Sequence, residues 1–166
     1  MKEIYFAAGC FWGTEKLFAG LPGVLDTECG YANGDPSIEP DYQRVCVGDT
    51  GYRETVRVRY EPEKISLEQL LKAYFYVLDP TVQNQQGHDI GTQYQTGIYW
   101  TEAETEAAVQ AYVAEERKKY ERFFVELKPL SVFHPAEEYH QNYLDKNPGG
   151  YCHIPVWAFD EVKNII

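Results

Sequence analysis

The sequence predicts a mixed α/β (α+β) protein, a two-layer sandwich in which helices pack on one mixed β-sheet. Strand-like and helix-like segments follow each other as strand–helix–strand, strand–helix–strand, then helix, strand and helix. The 166 residues are 44% hydrophobic and 25% charged, as expected of one globular domain with its own core. No internal repeat or low-complexity tract divides the chain. We therefore predict a single domain over residues 1–166, with a ferredoxin-like split β-α-β core.

The first half of the chain alternates between strand and helix patterns. Residues 3–8 are apolar enough for a buried strand, and residues 11–20 carry an apolar stripe of helical period. A second strand is expected over 24–31, followed by a loop over 32–40 that is rich in Gly, Pro, Asn, Asp and Ser. Residues 54–60 alternate between apolar and polar side chains, which predicts a half-buried strand.

The second half opens with a helix whose two ends are marked. Ser66 and Gln69 form a capping-box pattern, and Asp79-Pro80 ends the apolar stripe. The polar segment 81–93 is a loop long enough to suggest a function. The elements expected after it are a strand over 94–100, a helix capped by Thr101 and Glu104 that reaches about Tyr120, a strand over 130–133, a helix beginning at Pro135, and an irregular tail over 147–166.

Charge and composition disfavour several kinds of partner. Twenty-six acidic residues against 15 basic ones give a formal charge of −11, which argues against nucleic acid and anionic membranes. No apolar run approaches the ~18 residues of a membrane span, and the first residues lack the pattern of a signal peptide. Four scattered cysteines fit a reducing compartment better than a disulfide framework. We therefore expect a cytoplasmic protein that works as a monomer.

The segment GCFWGTE, residues 9–15, places a cysteine where it could react. Gly9 makes the corner between strand and helix, so Cys10 stands at the first helical turn. Unpaired backbone N–H groups and the helix dipole favour a thiolate there. Phe11 and Trp12 follow at once and suggest an apolar cup for a small apolar group. The alternative is an inert core cysteine beside two core aromatics.

Two glutamates are candidate partners of this cysteine. Glu54 opens a strand directly after a turn, and a carboxyl held against aromatics would keep its proton and could act as an acid. The alternative is a solvated acid at a strand end. Glu15 is expected on a solvated face of the helix and is set aside. Three more polar residues lie in or beside the polar loops, where each taken singly would be a surface residue: Tyr42, Asp89 and Tyr94.

The other thiols differ in where the sequence places them. Cys29 and Cys46 fall in expected strands and would belong to the core. Cys152 lies in the Gly-rich tail, which can move, and is the better candidate for a second thiol reaction. The remaining possible metal ligands are His134, His140, Cys152 and His153. Their spacing is not typical of zinc sites, so no metal is expected.

Six blocks of sequence together resemble the A-type peptide methionine sulfoxide reductases. They are GCFWG (9–13), GYANG (30–34), YQRVCVGDTGYRE (42–54), GHDIGTQY (87–94), FHPAEEYHQNYL (133–144) and NPGGYC (147–152). They cover nearly the whole chain, in the order and at the spacing of that family. The resemblance implies reduction of the S epimer of methionine sulfoxide, free or in oxidised proteins under repair. It implies no cofactor, and an external dithiol such as thioredoxin as the reductant.

The resemblance also implies a role for each matching residue. Cys10 matches the nucleophile, Glu54 the acid near the sulfoxide oxygen, and Cys152 a recycling cysteine that would form a disulfide with Cys10. Five residues match the substrate side of the site: Phe11 and Trp12 as the pocket for the S-methyl group, Tyr42 and Tyr94 as phenols that bind the oxygen, and Asp89 as the residue that holds the substrate's main-chain nitrogen.

The chain departs from the family pattern around the expected cleft. The family often has His and Ala where this chain has Tyr52 and Arg53, and Asn where it has His88. These changes are expected to affect substrate preference more than chemistry. Many members also carry a further cysteine after the GYC block, whereas residues 155–166 contain none. A three-cysteine relay that ends in this tail is therefore not expected.

Elementary chemistry agrees with the implied reaction. The sulfur of a sulfoxide is a poor electrophile unless its oxygen is protonated. Attack by a cysteine then leaves a sulfenic acid, which a second thiol converts to a disulfide. Two other functions stay open. A cysteine hydrolase would pair Cys10 with His134 or His140, and a binding module would hold methionine-like side chains in the aromatic cup without reacting.

Overall fold

A computed structural model describes residues 1–166, and its strands form a six-stranded sheet and a separate hairpin. The strands are β1 (Lys2–Ala7), β2 (Val24–Ala32), β3 (Arg53–Tyr60), β4 (Gln85–Gln86), β5 (Asp89–Ile90), β6 (Gly97–Trp100), β7 (Glu126–Pro129) and β8 (Phe133–Pro135). The helices are α1 (Phe11–Ala19), α2 (Tyr42–Cys46), α3 (Leu67–Val77), α4 (Ala103–Arg117), α5 (Tyr143–Lys146) and α6 (Val156–Ile165). None of them is both long and apolar enough to cross a membrane.

The strand order β7-β6-β1-β3-β2-β8 confirms the predicted mixed sheet. β1 pairs antiparallel with β3 and β6, and β2 pairs antiparallel with β3 and β8. Only β6 and β7 run parallel. The inner strands β6-β1-β3-β2, with α1 after β1 and α3 after β3, form the ferredoxin-like split β-α-β core. β7 and β8 extend it at opposite edges.

One face of the sheet carries the main core and the helices. Ile4 and Phe6 of β1 are fully buried, and so is Val58 of β3, because alternate residues of a strand point to the same face. Phe6 stacks on Phe18 of α1 and on Tyr74 of α3, with ring centroids at 4.6 and 5.0 Å. The same cluster includes buried residues of α4 and α6. The helices thus form one layer on the sheet, as predicted.

The two predicted helix caps have different outcomes. The capping box of Ser66 and Gln69 is confirmed, since both of its hydrogen bonds are present at the start of α3. The box of Thr101 and Glu104 is wrong. The N-cap of α4 is Glu102, one residue later, and no side chain caps that helix. Thr101 lies one residue before the N-cap position from which a side chain caps the first turn, and residues 101–104 are exposed.

Two predicted strands are also corrected. The strand expected from residue 94 begins only at Gly97, because a 3₁₀ turn over Thr92–Tyr94 precedes it. Of the strand expected over 130–133, only Phe133 is in a strand, as the first residue of β8, and residues 130–132 connect β7 to β8. The Asn33 side chain holds this connection, accepting from the backbone N–H and the hydroxyl of Ser131 at 2.7 and 2.9 Å. This connection runs from β7 at one edge of the sheet to β8 at the other edge.

The C-terminal quarter departs most from expectation. No helix begins at Pro135, because β8 pairs with β2 and aligns Pro135 with Gly30. A 3₁₀ turn over Glu138–His140 and the short α5 take the place of that helix. The tail is irregular only as far as Pro155. It then forms α6, which the Pro- and Gly-rich start of the tail conceals in the sequence.

Candidate active site

The corner between β1 and α1 places Cys10 at a helix start. Gly9 has φ of +82°, which glycine adopts readily, and a Cβ there would lie 2.7 Å from the Cβ of Gln86. Cys10 is the N-cap residue of α1 and is 6% exposed. The position predicted for this cysteine is therefore confirmed, and its thiol lies in a tightly enclosed corner.

The ionisation state expected for Cys10 is wrong for the free protein. Burial raises the pKa of its thiol well above the ordinary value, and the nearby Glu54 carboxyl raises it further when ionised. The backbone N–H of Trp12 hydrogen-bonds to the sulfur and opposes this shift, as expected at a helix start. Desolvation outweighs the helix N-terminus, so Cys10 is a thiol rather than a thiolate.

Glu54 is a buried acid and not the solvated strand-end residue of the alternative interpretation. It is 1% exposed, and its Oε1 accepts a hydrogen bond from the backbone N–H of Phe11 at 3.1 Å. Its Oε2 is buried without a partner. Desolvation raises the pKa of Glu54 to about 8, although the Phe11 bond acts in the opposite direction. At neutral pH the carboxyl is protonated, and Oε2 is the oxygen free to carry the proton.

The aromatic cup is supported by the C-terminal part of the chain. Phe11 is fully buried, whereas Trp12 is half-buried. The indole N–H of Trp12 donates to Nδ1 of His140 at 3.0 Å, and its ring stacks on Tyr143 with centroids 3.8 Å apart. Sequence reasoning missed this support. The helical stripe that contains His140 and Tyr143 was a visible signal, but it did not reveal which residue they contact.

The histidines do not pair with Cys10. Burial lowers the pKa of His140, and its Nδ1 is already occupied by Trp12. His134 packs edge-on against the ring of Tyr52. The His153 ring lies 3.4 Å from the positions that a Cβ would occupy on both Gly9 and Gly13. No group of histidine, cysteine, aspartate and glutamate side chains is arranged to hold a metal ion.

The two phenols and Asp89 converge on the same region. Tyr42 opens α2, and Tyr94 closes the 3₁₀ turn before β6. Burial raises the pKa of both phenols, and for both the charge that contributes most is Glu54. Asp89 adds to the shift at Tyr94 and accepts a hydrogen bond from the hydroxyl of Tyr151 at 3.0 Å. The structure thus brings these separated sequence positions around one carboxyl.

Cys152 lies against the same end of α1 as Cys10. Its sulfur is 2.9 Å from the position that a Cβ on Gly13 would occupy, and its thiol donates to the carbonyl of Ile154 at 3.3 Å. Burial raises the pKa of this thiol, and Lys16 is a charge that opposes the shift. All four cysteines are free. Both thiols proposed to form a disulfide therefore flank one helical turn.

The other two cysteines behave differently from each other. Cys29 is fully buried in β2, as predicted. The prediction for Cys46 is wrong, because this residue is exposed at the end of α2. Asp41 starts that helix by accepting the N–H of Arg44 at 2.7 Å. A local cap turns the segment into a helix where the sequence suggested a strand.

Glu15 is also buried, against expectation. It is 2% exposed and accepts the backbone N–H of Asn142 at 2.6 Å and the hydroxyl of Thr27 at 3.1 Å. Asn142 immediately precedes α5, which carries Tyr143. The helix face expected to be solvated is therefore covered, and Glu15 fastens the C-terminal segment to α1.

The fold and the site fit the class of oxidoreductases that work through cysteine thiols. The family model described as peptide methionine sulfoxide reductase matches residues 2–164, and the chain belongs to that family. The resemblance of the six sequence blocks is thereby confirmed.

Similar proteins cover nearly the whole chain. The peptide methionine sulfoxide reductase MsrA of Clostridium acetobutylicum is 51% identical over 93% of this chain and 96% of its own length. MsrA of Lachnoclostridium phytofermentans is 51% identical over 98% of both chains. Among solved structures, reduced Mxr1 from Saccharomyces cerevisiae has a TM-score of 0.86 at 40% identity, and covers 91% of this chain and 88% of its own.

Proposed function

We propose that this protein reduces the S epimer of methionine sulfoxide, free or in oxidised proteins, to methionine by thiol chemistry at Cys10. The observation that carries the proposal is Glu54, a buried carboxyl protonated at neutral pH whose Oε2 has no partner within the protein. A proton donor kept dry and unpartnered beside a thiol suits a substrate whose oxygen must be protonated before it leaves.

Substrate binding uses the residues that surround this carboxyl. The S-methyl group enters the cup of Phe11 and Trp12. The sulfoxide oxygen is held by Oε2 of Glu54 together with the phenols of Tyr42 and Tyr94. The cup and the three groups at the oxygen together fix the methyl, oxygen and sulfur positions, so a single epimer presents its sulfur to the thiol. One enzyme type for each sulfoxide epimer is the general pattern.

Asp89 binds the main-chain nitrogen of the substrate in this proposal. Its carboxylate is half-buried at the hairpin of β4 and β5, where Tyr151 already donates to it. A carboxylate with one fixed donor keeps acceptor capacity for a further N–H group. Free methionine sulfoxide and an oxidised residue within a protein both offer such a group.

In the reduction step, Glu54 donates its proton to the sulfoxide oxygen while the Cys10 sulfur attacks the sulfoxide sulfur. The proton of the Cys10 thiol passes to Glu54 and restores its protonated form. The net result transfers the oxygen to Cys10, so that a thiol and a sulfoxide become a sulfenic acid and a thioether. Cys10 is oxidised by two electrons and the substrate is reduced by two.

Recycling uses the second thiol at the same helix end. The Cys152 sulfur attacks the sulfenic sulfur of Cys10, a disulfide forms, and the oxygen leaves as water. An external dithiol then opens the disulfide by exchange, restores both thiols and becomes a disulfide itself. The yeast protein Mxr1 has been solved in complex with Trx2. We propose a thioredoxin-like dithiol as the reductant of this protein. We also propose that the protein is cytoplasmic and works as a monomer.

A turnover assay on the separated epimers tests this function. With dithiothreitol as the reductant, the S epimer should yield methionine and the R epimer should not. Cys10→Ser should abolish the product, whereas a binding module would tolerate that change. Comparable turnover of the R epimer, or product formation by Cys10→Ser, would contradict the proposal.

A further inference from the structure

Arg53 is next to Glu54 on β3 but points to the opposite face of the sheet, as successive strand residues do. Its Nε and Nη2 atoms donate to the two oxygens of Glu126 at 3.0 and 3.4 Å. Its Nη1 donates to the backbone carbonyl of Thr92 at 2.8 Å. Both charged side chains of the pair are less than one-fifth exposed. The guanidinium therefore joins β3, β7 and the segment that begins at Thr92.

Thr92 is the point at which the segments around the site meet. Its carbonyl is held by Arg53, and its hydroxyl donates to the carbonyl of Gly48 at 2.7 Å. Gly48 follows α2, which begins with Tyr42, and Thr92 begins the 3₁₀ turn that ends with Tyr94. Thr92 thus connects the turn that carries Tyr94 to the loop after the helix that carries Tyr42. Arg53 fixes Thr92 to β3, the strand that carries Glu54.

The guanidinium is suited to this task, because its planar fork fixes several donors in one geometry. The Glu126 carboxylate accepts from the Nε and Nη2 atoms of this guanidinium, and it also accepts from the hydroxyl of Tyr99 at 2.9 Å. Gln95 anchors the other end of the turn, since its side chain binds the backbone at Asn84 and Phe124. Arg53 is the anchor at the start of the turn.

We propose that Arg53 is a positioning residue for the reduction step, which it assists by fixing the turn that presents the Tyr94 hydroxyl to the sulfoxide oxygen. This proposal rests on the proposed function. Displacement of a reacting or stabilising group by about 1 Å can cost a large factor in rate. Arg53 donates to Thr92 and Glu126 rather than to Cys10 or Glu54, so in this proposal its effect on the rate passes through Thr92 to the hydroxyl of Tyr94.

The test is the single-turnover rate of methionine formation in Arg53→Met, alone and combined with Tyr94→Phe. Arg53→Met should lower the rate about tenfold. In the Tyr94→Phe background the same change should cost less than about twofold, because the hydroxyl it positions is already gone. Arg53→Lys should recover part of the rate, since an ammonium keeps a donor for Thr92. A merely structural role would lower the rate equally in both backgrounds.

Arg57 provides the matched control. It lies on the same strand, its side chain is as buried as that of Arg53, and it forms ion pairs with Glu28 and Asp26 at 2.9 and 3.6 Å. It holds no loop of the site, so Arg57→Met should keep the wild-type rate of reduction.

A wild-type rate in Arg53→Met, or an equal loss in both Tyr94 backgrounds, would overturn the proposal. A wild-type rate in Tyr94→Phe alone would overturn it too, while leaving Cys10 and Glu54 in their roles. Failure of the unmodified protein to make methionine from the S epimer would instead refute the proposed function.

Discussion

The strand–helix corner (residues 8–11) and the C-terminal segment (residues 133–155) contribute to the same site by different means. At the corner, backbone structure fixes the reacting groups. Cys10 caps α1, and Glu54 lies within the sheet and accepts the first N–H group of that helix. Neither residue can shift without moving a strand or a helix of the core.

The C-terminal segment is held by the pairing of β8 with β2 and, beyond β8, mainly by side-chain hydrogen bonds. Gln141 binds both the N–H and the carbonyl of Cys29 at 2.8 and 2.9 Å, and Glu15 binds the N–H of Asn142. Next to the second thiol, the Tyr151 hydroxyl donates to Asp89 at 3.0 Å, but the backbone at Gly149 before it is open. A Cβ at Gly149 would have no atom within 4 Å, and the hydrogen bond of the Cys152 thiol goes to a carbonyl two residues away.

The contrast matches the two halves of the proposed reaction. Oxygen transfer needs fixed donors around one sulfur, which an enclosed and preorganised corner provides. Recycling needs one sulfur to approach another, and disulfide geometry requires Cα atoms within roughly 7 Å. The open backbone at Gly149 gives the segment that carries Cys152 the freedom to meet that requirement. If the two regions are separable in this way, a variant in one region should leave the step of the other region unchanged.

Removal of the Cys152 thiol should have the largest effect, because it should stop recycling and leave the reduction step intact. Cys152→Ser should still form about one methionine per enzyme in a single turnover, because the corner is intact. It should lose thioredoxin-supported cycling but keep some cycling with dithiothreitol, which reaches the sulfenic acid directly.

Peptide mapping of the wild-type protein after reaction with substrate should show a link between Cys10 and Cys152. A link from Cys10 to Cys46 or Cys29, or normal thioredoxin-supported cycling of Cys152→Ser, would show that the recycling role is wrong. The role of Cys10 could survive that result.

Changes at Glu54 should affect the other half of the reaction. Glu54→Gln keeps an acceptor for the Phe11 N–H and a donor for the substrate oxygen, but it cannot transfer a proton. The first-step rate should therefore fall by about 10²- to 10⁴-fold, and further in Glu54→Ala. The measurement is the single-turnover rate of methionine formation.

Glu15→Gln is the control for this series, because Glu15 is a second buried glutamate whose bonds go to Thr27 and Asn142 rather than to the site. Its first-step rate should stay close to that of the wild type. Unchanged rates in both Glu54 variants would show that this carboxyl is a bystander.

The same two regions differ in how much the sequence reveals. The corner is predictable because its causes are local: a glycine between an apolar segment and a helical stripe, with Cys10 at the junction. The capping box at Ser66 is local in the same sense. What local sequence could not give is the ionisation of Cys10, because desolvation depends on residues that are distant in the chain.

The C-terminal segment was poorly predicted because its structure is decided by distant partners. The stripe from Ala136 to Tyr143 has helical spacing, but pairing of β8 with β2 leaves room for only a 3₁₀ turn and α5. Glu15 becomes buried only because residue 142 folds over it. The roles of the individual site residues stay predictions until variants are measured.

Ionisation of Glu54 should also appear in the stability of the folded protein. Its pKa is raised from 4.5 to about 8 on folding, so between these values the unfolded chain has released a proton that the folded protein still holds. Ionisation of Glu54 thus stabilises only the unfolded chain over this range. The free energy of unfolding should therefore fall as pH rises from 4.5 to about 8, and Glu54 should change it no further above that range.

Glu54→Gln cannot titrate, so its stability relative to the wild type should increase over the same pH window. Urea unfolding midpoints of both proteins, compared between about pH 5 and about pH 9, measure this difference. Other titrating groups, such as His140, are present in both proteins and cancel. Parallel pH profiles would show that folding does not raise the pKa of Glu54.

The smallest effect expected lies where the two regions touch, at Gly13. A Cβ there would be 2.9 Å from the Cys152 sulfur, so Gly13→Ala must displace that thiol from the helix. Alanine is also the better helix former by about 1 kcal/mol, so stability should hold or rise. The first-step rate should stay unchanged, whereas formation of the Cys10–Cys152 disulfide should slow by about three- to tenfold, because the sulfur starts farther from its target. Rapid-quench thiol counting after one turnover measures this step.

Gly20→Ala, at the other end of α1 where a Cβ would meet nothing closer than 3.4 Å, is the matched control. Disulfide formation at the wild-type rate in Gly13→Ala would mean that the position of Cys152 against α1 does not limit recycling, and that motion of the C-terminal segment sets its rate instead.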